Sequence, residues 1–171
     1  MCGTARLRLA QGDAVESLKE AEACFKASEE MGLSQEYVKE ALVVALEASL
    51  ELGRFDKAGE LLGLIDALPP GHMPQFLQAQ SMRFRAQIVD TADGAETERL
   101  FKGSTGLFRE LAVPFYLAVT QLEYAEWLER QDRSDDSIPL VTEAREVFER
   151  LGAAPWLERA EKVGGGTRVH A

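Results

Sequence analysis

The segment Gly-Arg-Phe-Asp-Lys-Ala at residues 53–58 decides how this sequence folds. A helix-like apolar pattern precedes Gly53 and a second one follows the segment, and glycine readily ends one helix before the next begins. Gly12 and Gly94 occupy similar places at equal distances on either side of Gly53 (53 − 12 = 94 − 53), and a fourth cycle begins near Asp132. A period of roughly 40 residues predicts a stack of antiparallel helix hairpins.

Start and stop signals for helices recur between these marks. Pro74 and Pro114 stand at predicted helix starts, and LPPG at residues 68–71 is a stop signal. No segment alternates as a strand does. We therefore predict an all-α fold, a right-handed superhelical stack of about three and a half hairpins over residues 1–163. We expect residues 164–171, GGGTRVHA, to be disordered, because their glycines lose much chain entropy on ordering.

The sequence also predicts helix caps. Asp13, Asp56 and either Ser134 or Asp135 are the expected N-caps, because their side chains accept hydrogen bonds from the first free amides of a helix. Gly152 is expected to end the last long helix.

The apolar spacing predicts which residues face inward. In the last long helix these are Ile138, Val141, Ala144, Phe148 and Leu151. Gly103 and Gly106 disfavour their helix, so we expect a neighbouring backbone to approach them closely. Trp156 is expected to hold the final short helix against the stack.

Composition limits the function classes. A net charge of −10 and a pI near 4.8 disfavour binding to nucleic acid or an anionic membrane. No stretch approaches the roughly 20 apolar residues of a membrane span, and the N-terminus is a poor signal peptide. Cys2 and Cys24 are too few for a disulfide framework or a zinc site. We interpret Cys24 as a small buried hydrophobe, and we expect a cytoplasmic location.

The segment at 53–58 resembles the turn of a tetratricopeptide repeat. Gly53 ends the first helix, Phe55 is the aromatic two residues on, and the small Ala58 begins the second helix. Small residues recur at matching positions in the other cycles: Ser17, Ala21, Cys24, Gly103, Gly106, Ser137 and Ala144. The period here exceeds the roughly 34 residues of that family. The resemblance therefore implies a longer tetratricopeptide-like repeat.

A second resemblance covers roughly residues 94–163. The segments at 106–128 and 139–160 look like the C-terminal helical region of large bacterial signalling proteins with an adenylate/guanylate cyclase domain, or of LuxR-type ATPase regulators. This resemblance implies the role of a sensor or scaffold tail. The chain has no G-x-x-x-x-G-K-[ST] phosphate loop, so no catalysis is carried over.

The first helices of tetratricopeptide hairpins line the concave face, which points to a protein or peptide site. The candidates on that face are Glu47, Glu51, Arg85, Glu123, Glu126 and Arg130. The alternative is a solvated face with weak ion pairs. His72 lies in a predicted turn and His170 in the tail, and neither sequence context suggests catalysis. We predict no catalytic residue, metal or cofactor.

Three functions stay open. The first is a non-catalytic interaction or scaffold module, standing alone or as a truncated regulatory tail of a cyclase or ATPase protein. The second is a homodimerising domain of a LuxR-type regulator without its DNA-binding domain. Because residues 3–11 give only half a hairpin, dimerisation is expected through this open N-terminal end. The third is an enzyme, for which no residue pattern selects a reaction.

Replacing Ala58 with Phe tests the predicted hairpin. The larger side chain should overpack the contact between the two helices and lower the free energy of unfolding by about 1–3 kcal/mol. Thermal unfolding measures the effect, and an unchanged melting temperature would mean that the hairpin is wrongly assigned.

Overall fold

A computed structural model describes residues 2–27, 36–69, 71–89 and 94–165. These residues are all-helical and contain no strand, which confirms the predicted all-α class. The nine helices in the described residues are α1 (Cys2–Ala10), α2 (Ala14–Ala27), α3 (Glu36–Glu51), α4 (Phe55–Asp66), α5 (Gln75–Ile88), α6 (Gly94–Glu110), α7 (Pro114–Arg130), α8 (Ser134–Leu151) and α9 (Ala154–Gly165).

The chain divides into two compact units, Met1–Phe84 and Arg85–Ala171, with the boundary inside α5. In the first unit, α1 packs against α2 and α3, and α3 also packs against α2 and α4. In the second unit, α7 packs against α6, α8 and α9. Each unit is therefore organised around one central helix that touches several others.

The core of the first unit is built around α3. Every residue from Ala41 to Leu46 is buried, as expected for a helix that is apolar on nearly all sides. On α4, the buried residues are Ala58, Leu61, Leu62 and Ile65. Ala58 is fully buried, as the hairpin prediction requires.

The core of the second unit is built around α7. Its members are Ala118, Val119, Leu122, Ala125, Val141, Ala144, Val147, Phe148 and Ala160. Trp156 of α9 packs against this cluster, with its ring stacked on Phe148 at 5.9 Å and edge-on to Phe115 at 6.0 Å between centroids. The expected role of Trp156 in holding the final helix is confirmed.

Five helix ends in the described residues share one turn. Each ends on a residue with positive φ: Gly12, Gly53, Ala112, Asp132 and Gly152. The amide of Asp132 donates to the carbonyl of Glu129 (3.1 Å), and the next amide, of Arg133, donates to the carbonyl of Leu128 (3.0 Å). The other four turns have the same two bonds. This pair of bonds is the Schellman motif, which satisfies carbonyls that a helix end otherwise leaves free.

The turn at Gly53 starts the next helix two residues earlier than predicted. Arg54 follows Gly53 directly and takes the N-cap position of α4, without a side-chain cap bond. Asp56 therefore lies in the first turn of α4, and its prediction as the N-cap is wrong. Asp13 is confirmed as a cap, because its Oδ1 accepts a hydrogen bond from the amide of Glu16 at 3.2 Å.

The helix α8 also starts earlier than predicted. Arg133 is the N-cap residue, and α8 begins at Ser134, so the prediction of Ser134 or Asp135 as the cap is wrong. The Ser134 hydroxyl donates instead to Glu129 Oε2 at 2.7 Å. Asp135 lies in the first turn, where a negative charge favours the helix dipole.

The buried face of α8 differs in part from the predicted one. It consists of Ser137, Val141, Ala144, Val147 and Phe148. Ile138 and Leu151 were predicted to face inward, but they are 56% and 48% exposed. Ile138 lies about 100° around the helix from Ser137, which points it away from α7. Leu151 is the last residue of the helix.

The predicted close approach at Gly106 is also wrong. Outside its own helix backbone, no atom of the described chain lies within 4 Å of the position that a Cβ of Gly106 would take. The close approach occurs at Gly94, the first residue of α6, where the Trp127 ring lies 3.6 Å from the corresponding position. Gly94 is helical, so it does not repeat the left-handed turns of Gly12 and Gly53.

Cys24 is buried as predicted, but its sulfur is in a disulfide bond, so its interpretation as a simple hydrophobe is wrong.

None of the helices in the described ranges is long and apolar enough to cross a membrane. α9 extends to Gly165, two residues into the predicted tail. Pro70, and the rest of the tail at 166–171, lie outside the described residues.

Replacing Ala112 with Gly tests the left-handed turn. Ala112 has a φ of 53°. This left-handed conformation has a higher free energy for an L-residue with a Cβ than for glycine. The added chain entropy of glycine offsets part of the gain, so the free energy of unfolding should rise by up to about 1 kcal/mol. The control Ala23→Gly, at an exposed position inside α2, should lower it by about 1 kcal/mol. Chemical denaturation measures both, and a loss of stability in Ala112→Gly would contradict the turn.

Candidate interaction surface

The turns place three charged residues at equivalent positions. Arg6, Glu47 and Glu126 each stand six residues before a left-handed residue, which is Gly12, Gly53 and Asp132 in turn. They lie on α1, α3 and α7, the helices that these turns end. Two of the three, Glu47 and Glu126, are among the predicted binding residues.

In the first unit, Glu47 lies between two guanidinium groups. Its Oε1 is 3.1 Å from Arg83 Nη1 on α5, and its Oε2 is 3.6 Å from Arg6 Nη1 on α1. Arg6 also donates from Nε to Glu40 Oε1 at 3.0 Å. The side chain of Glu47 is only 14% exposed. Glu47 therefore connects α3 to α1 and α5 inside the protein.

Arg83 is the charged residue that the sequence analysis missed. Its side chain is 1% exposed, and its Nη1 also donates to the buried Gln80 Oε1 at 3.2 Å. A buried cation is tolerated only when it is paired and hydrogen-bonded. The sequence feature that could have identified Arg83 is its spacing from Gln80, because two polar residues three apart lie on the same side of a helix. Arg85, which was predicted instead, is half-buried.

In the second unit, Glu126 pairs with α9. Both of its carboxylate oxygens accept bonds from Arg159, one from Nε and one from Nη2, each at 2.6 Å. The guanidinium carbon of Arg159 also lies 5.3 Å from the centroid of the Trp156 ring. The two-point geometry fixes orientation as well as distance. Glu126 therefore holds α9 against α7.

Glu123 lies one turn before Glu126 on α7 and is buried. Its Oε2 accepts a hydrogen bond from Gln87 Nε2 on α5 at 3.1 Å. Three predicted binding residues, Glu47, Glu123 and Glu126, thus make contacts between helices of their own units.

The remaining predicted residues, Glu51 and Arg130, differ from these three because neither is engaged inside its unit. Glu51 and Arg130 are both exposed. Each stands two residues before a left-handed residue, Gly53 or Asp132, so the two occupy equivalent positions on α3 and α7. Within the described chain, no side chain pairs with either charge. Both charges therefore face solvent.

A further charged cluster surrounds Glu98 of α6. Arg133 donates to Glu98 Oε2 at 2.6 Å, Lys102 Nζ lies 2.7 Å from Oε1, and the Tyr124 hydroxyl donates to Oε1 at 3.1 Å. The bonds from Arg133 and Lys102 lower the pKa of Glu98 to about 2. Burial, and then the charge of Glu98, raise the pKa of Tyr124. Glu98 therefore stays ionised and ties α6 to α7 and to the start of α8.

The α7–α8 turn borders an open depression with a volume of about 380 Å³, lined by Asp132, Arg133, Ser134, Asp135 and Asp136. Arg133 is held there by Glu98 and by Asp136 Oδ2 at 2.8 Å from its Nε. In the described ranges, no group of three His, Cys, Asp or Glu side chains is placed to hold a metal ion. His72 is exposed before α5, and His170 lies outside the described residues.

Comparison of the chain with protein-family models, curated protein sequences and solved structures gives no match. The resemblances to tetratricopeptide repeats and to bacterial signalling tails therefore stay predictions.

Removing Glu47 tests the buried pair. Glu47→Leu leaves Arg83 buried without its carboxylate, so the free energy of unfolding should fall by about 3–5 kcal/mol. The double variant Glu47→Leu/Arg83→Met removes both charges and should lose less than Glu47→Leu alone. The control Glu51→Ala, on the exposed side of the same helix, should change stability by less than about 0.5 kcal/mol. Urea unfolding measures all three, and a double variant less stable than Glu47→Leu would refute the pairing.

The Glu98 cluster predicts a dependence of stability on acid pH. Glu98→Gln should lower the free energy of unfolding at pH 7 by about 1 kcal/mol, a value limited by the solvent around Arg133 and Lys102. The folded-state pKa of Glu98 is depressed from 4.5 to about 2, so its contribution is complete above pH 4.5. This contribution is lost as the pH falls towards about 2. The difference between wild type and variant should shrink over that window, whereas a constant difference would contradict the cluster. Glu158→Gln, at an exposed position of α9, is the control.

Proposed function

We propose that this chain is a non-catalytic interaction module, a right-handed superhelical stack of about three and a half tetratricopeptide-like hairpins that binds a protein or peptide. One observation carries the proposal: the repeated turn divides the charges of the first helices into two sets. Charges six residues before the turn hold neighbouring helices, and charges two residues before it face solvent at least in part. Stacked hairpins of this kind typically provide extended binding surfaces.

In this proposal, Glu51 of the first unit and Arg130 of the second unit each contact a partner. Glu47, Glu123 and Glu126 position the helices that carry them, because their carboxylates are already engaged. Arg85 is half-buried, and we assign it no contact with the partner. The proposal assigns no catalytic residue, metal or cofactor to the chain.

The proposed setting follows from the sequence resemblance. The chain acts as a regulatory or scaffold tail of a bacterial cyclase or ATPase signalling protein, in the cytoplasm, without binding nucleic acid or membrane. The net charge of −10 supports the absence of binding to nucleic acid and to anionic membranes. The disulfide bond of Cys24 opposes the cytoplasmic location, because disulfides persist mainly in oxidising compartments.

A photo-crosslinking amino acid placed at position 51 or 130 tests the proposal. Each position should crosslink one specific protein in cells, and the purified partner should bind Glu51→Arg or Arg130→Glu about tenfold more weakly than wild type. The matched control Glu146→Arg, at an exposed position of α8, should bind normally. The absence of a specific crosslink at both positions would overturn the proposal.

A second candidate is a homodimerising regulatory domain of the LuxR type. The observation that favours it is the exposure of two apolar side chains on the first hairpin, Leu7 at 57% and Val15 at 52%. Sedimentation equilibrium should then show a dimer that Leu7→Glu/Val15→Glu converts to a monomer. A wild-type monomer at all concentrations would exclude this candidate.

A further inference from the structure

The outward half of α4 carries two parallel rows of exposed residues at four-residue spacing. The first row is Phe55, Gly59 and Gly63, and the second is Asp56, Glu60 and Leu64. Phe55 is 53% exposed and Leu64 is 46% exposed, although the opposite half of the same helix is buried in the first unit. Phe55 and Leu64 are nine residues apart, so they lie at opposite edges of this exposed half. The first row therefore presents the exposed Phe55 ring next to two glycines.

The two glycines make this face shallow. Outside the backbone of α4, no atom of the described chain lies within 4 Å of the position that a Cβ would take at Gly59 or Gly63. Packing within the described chain therefore does not require glycine at either position, although glycine disfavours a helix interior. A glycine does, however, let another backbone come close.

The charges on this half of α4 are negative. Asp56, Glu60 and Asp66 are all exposed. The one cation of α4, Lys57, is drawn towards α2, where its Nζ lies 2.6 Å from Glu22 Oε1, and it also lies 3.3 Å from Glu60 Oε2. The face therefore combines an apolar, shallow row with a row of carboxylates, and its complement is an apolar surface flanked by cations.

We propose that this face of α4 docks a cationic amphipathic helix of a partner protein. The small and apolar side of that helix lies against Phe55, Gly59 and Gly63, and its Lys or Arg side chains pair with Asp56 and Glu60. A second copy of this chain fits poorly, because two such faces would place carboxylates against carboxylates. None of these α4 residues is among those proposed above to contact a partner, Glu51 and Arg130.

A synthetic peptide tests the proposal. The probe is a fluorescein-labelled helix of about 20 residues, with Ala and Leu on one side and Lys on the other, long enough to be helical in water. Fluorescence anisotropy should show saturable one-to-one binding to the full chain. A peptide with Glu in place of Lys should not bind.

Gly59→Gln/Gly63→Gln is the decisive variant. Glutamine favours a helix more than glycine does, so the melting temperature should stay the same or rise, while the filled surface should raise the Kd of the Lys peptide about tenfold or more. The matched control Ala23→Gln, at an exposed position of α2, should bind as wild type does.

Three outcomes would overturn the proposal. The first is the absence of saturable binding by the Lys peptide. The second is an equal Kd for wild type and Gly59→Gln/Gly63→Gln. A loss of peptide binding in Glu51→Arg would likewise overturn the proposal, because it would place the peptide at Glu51 on α3. The third is a dimer of the chain that Gly59→Gln/Gly63→Gln dissociates, which would assign the face to a second copy. Normal peptide binding by Glu51→Arg supports the proposal independently of the function proposed for Glu51.

Discussion

The left-handed residue that ends five of the described helices is the constraint on which the rest of this structure depends. The amide of this residue and the next amide both donate to carbonyls in the last turns of the preceding helix, so the chain reverses within a few residues. The positions 112, 132 and 152 are evenly spaced along the chain (132 − 112 = 152 − 132). Residues at the same distance from a turn therefore occupy equivalent positions relative to that turn.

This equivalence explains why charge is found inside an otherwise apolar protein. Glu47 and Glu126 stand at the same distance from their turns, and each is met by an arginine from a neighbouring helix. Burying Arg83 costs solvation that its bonds to Glu47 and Gln80 must offset, so such a pair contributes more to defining one helix arrangement than to net stability. The charges of Glu51 and Arg130 carry no such cost and are available for recognition.

The sequence predicted the elements better than their contacts. The helices and the turns at Gly12, Gly53 and Gly152 follow from periodicity and from the tolerance of glycine for positive φ. Ala112 could not be identified as a left-handed residue, because nothing in its side chain favours that conformation and the hydrogen bonds of the turn impose it. Ile138 was misplaced because periodicity fixes a helix face only to within about one residue, or about 100°.

The candidate site was harder to predict for a physical reason. Periodicity places a residue on a helix face but does not identify its partner on another helix. For this reason Arg85 was chosen in place of Arg83, and Glu47 and Glu123 were predicted to face a partner rather than a neighbouring helix. Arg6 and Glu47 carry opposite charges at equivalent positions of α1 and α3. This pattern in the sequence could have predicted that the two side chains pair.

Amide hydrogen exchange of the full chain, followed by NMR, tests the turn most directly. The amides that follow the left-handed residues belong to Asp13, Arg54, Val113, Arg133 and Ala153. Because each donates to a carbonyl five residues back, they should exchange as slowly as amides in the adjacent helices, although they lie at turns. Exchange at the rate of an unprotected peptide at these amides would contradict the shared turn and the equivalence of positions built on it.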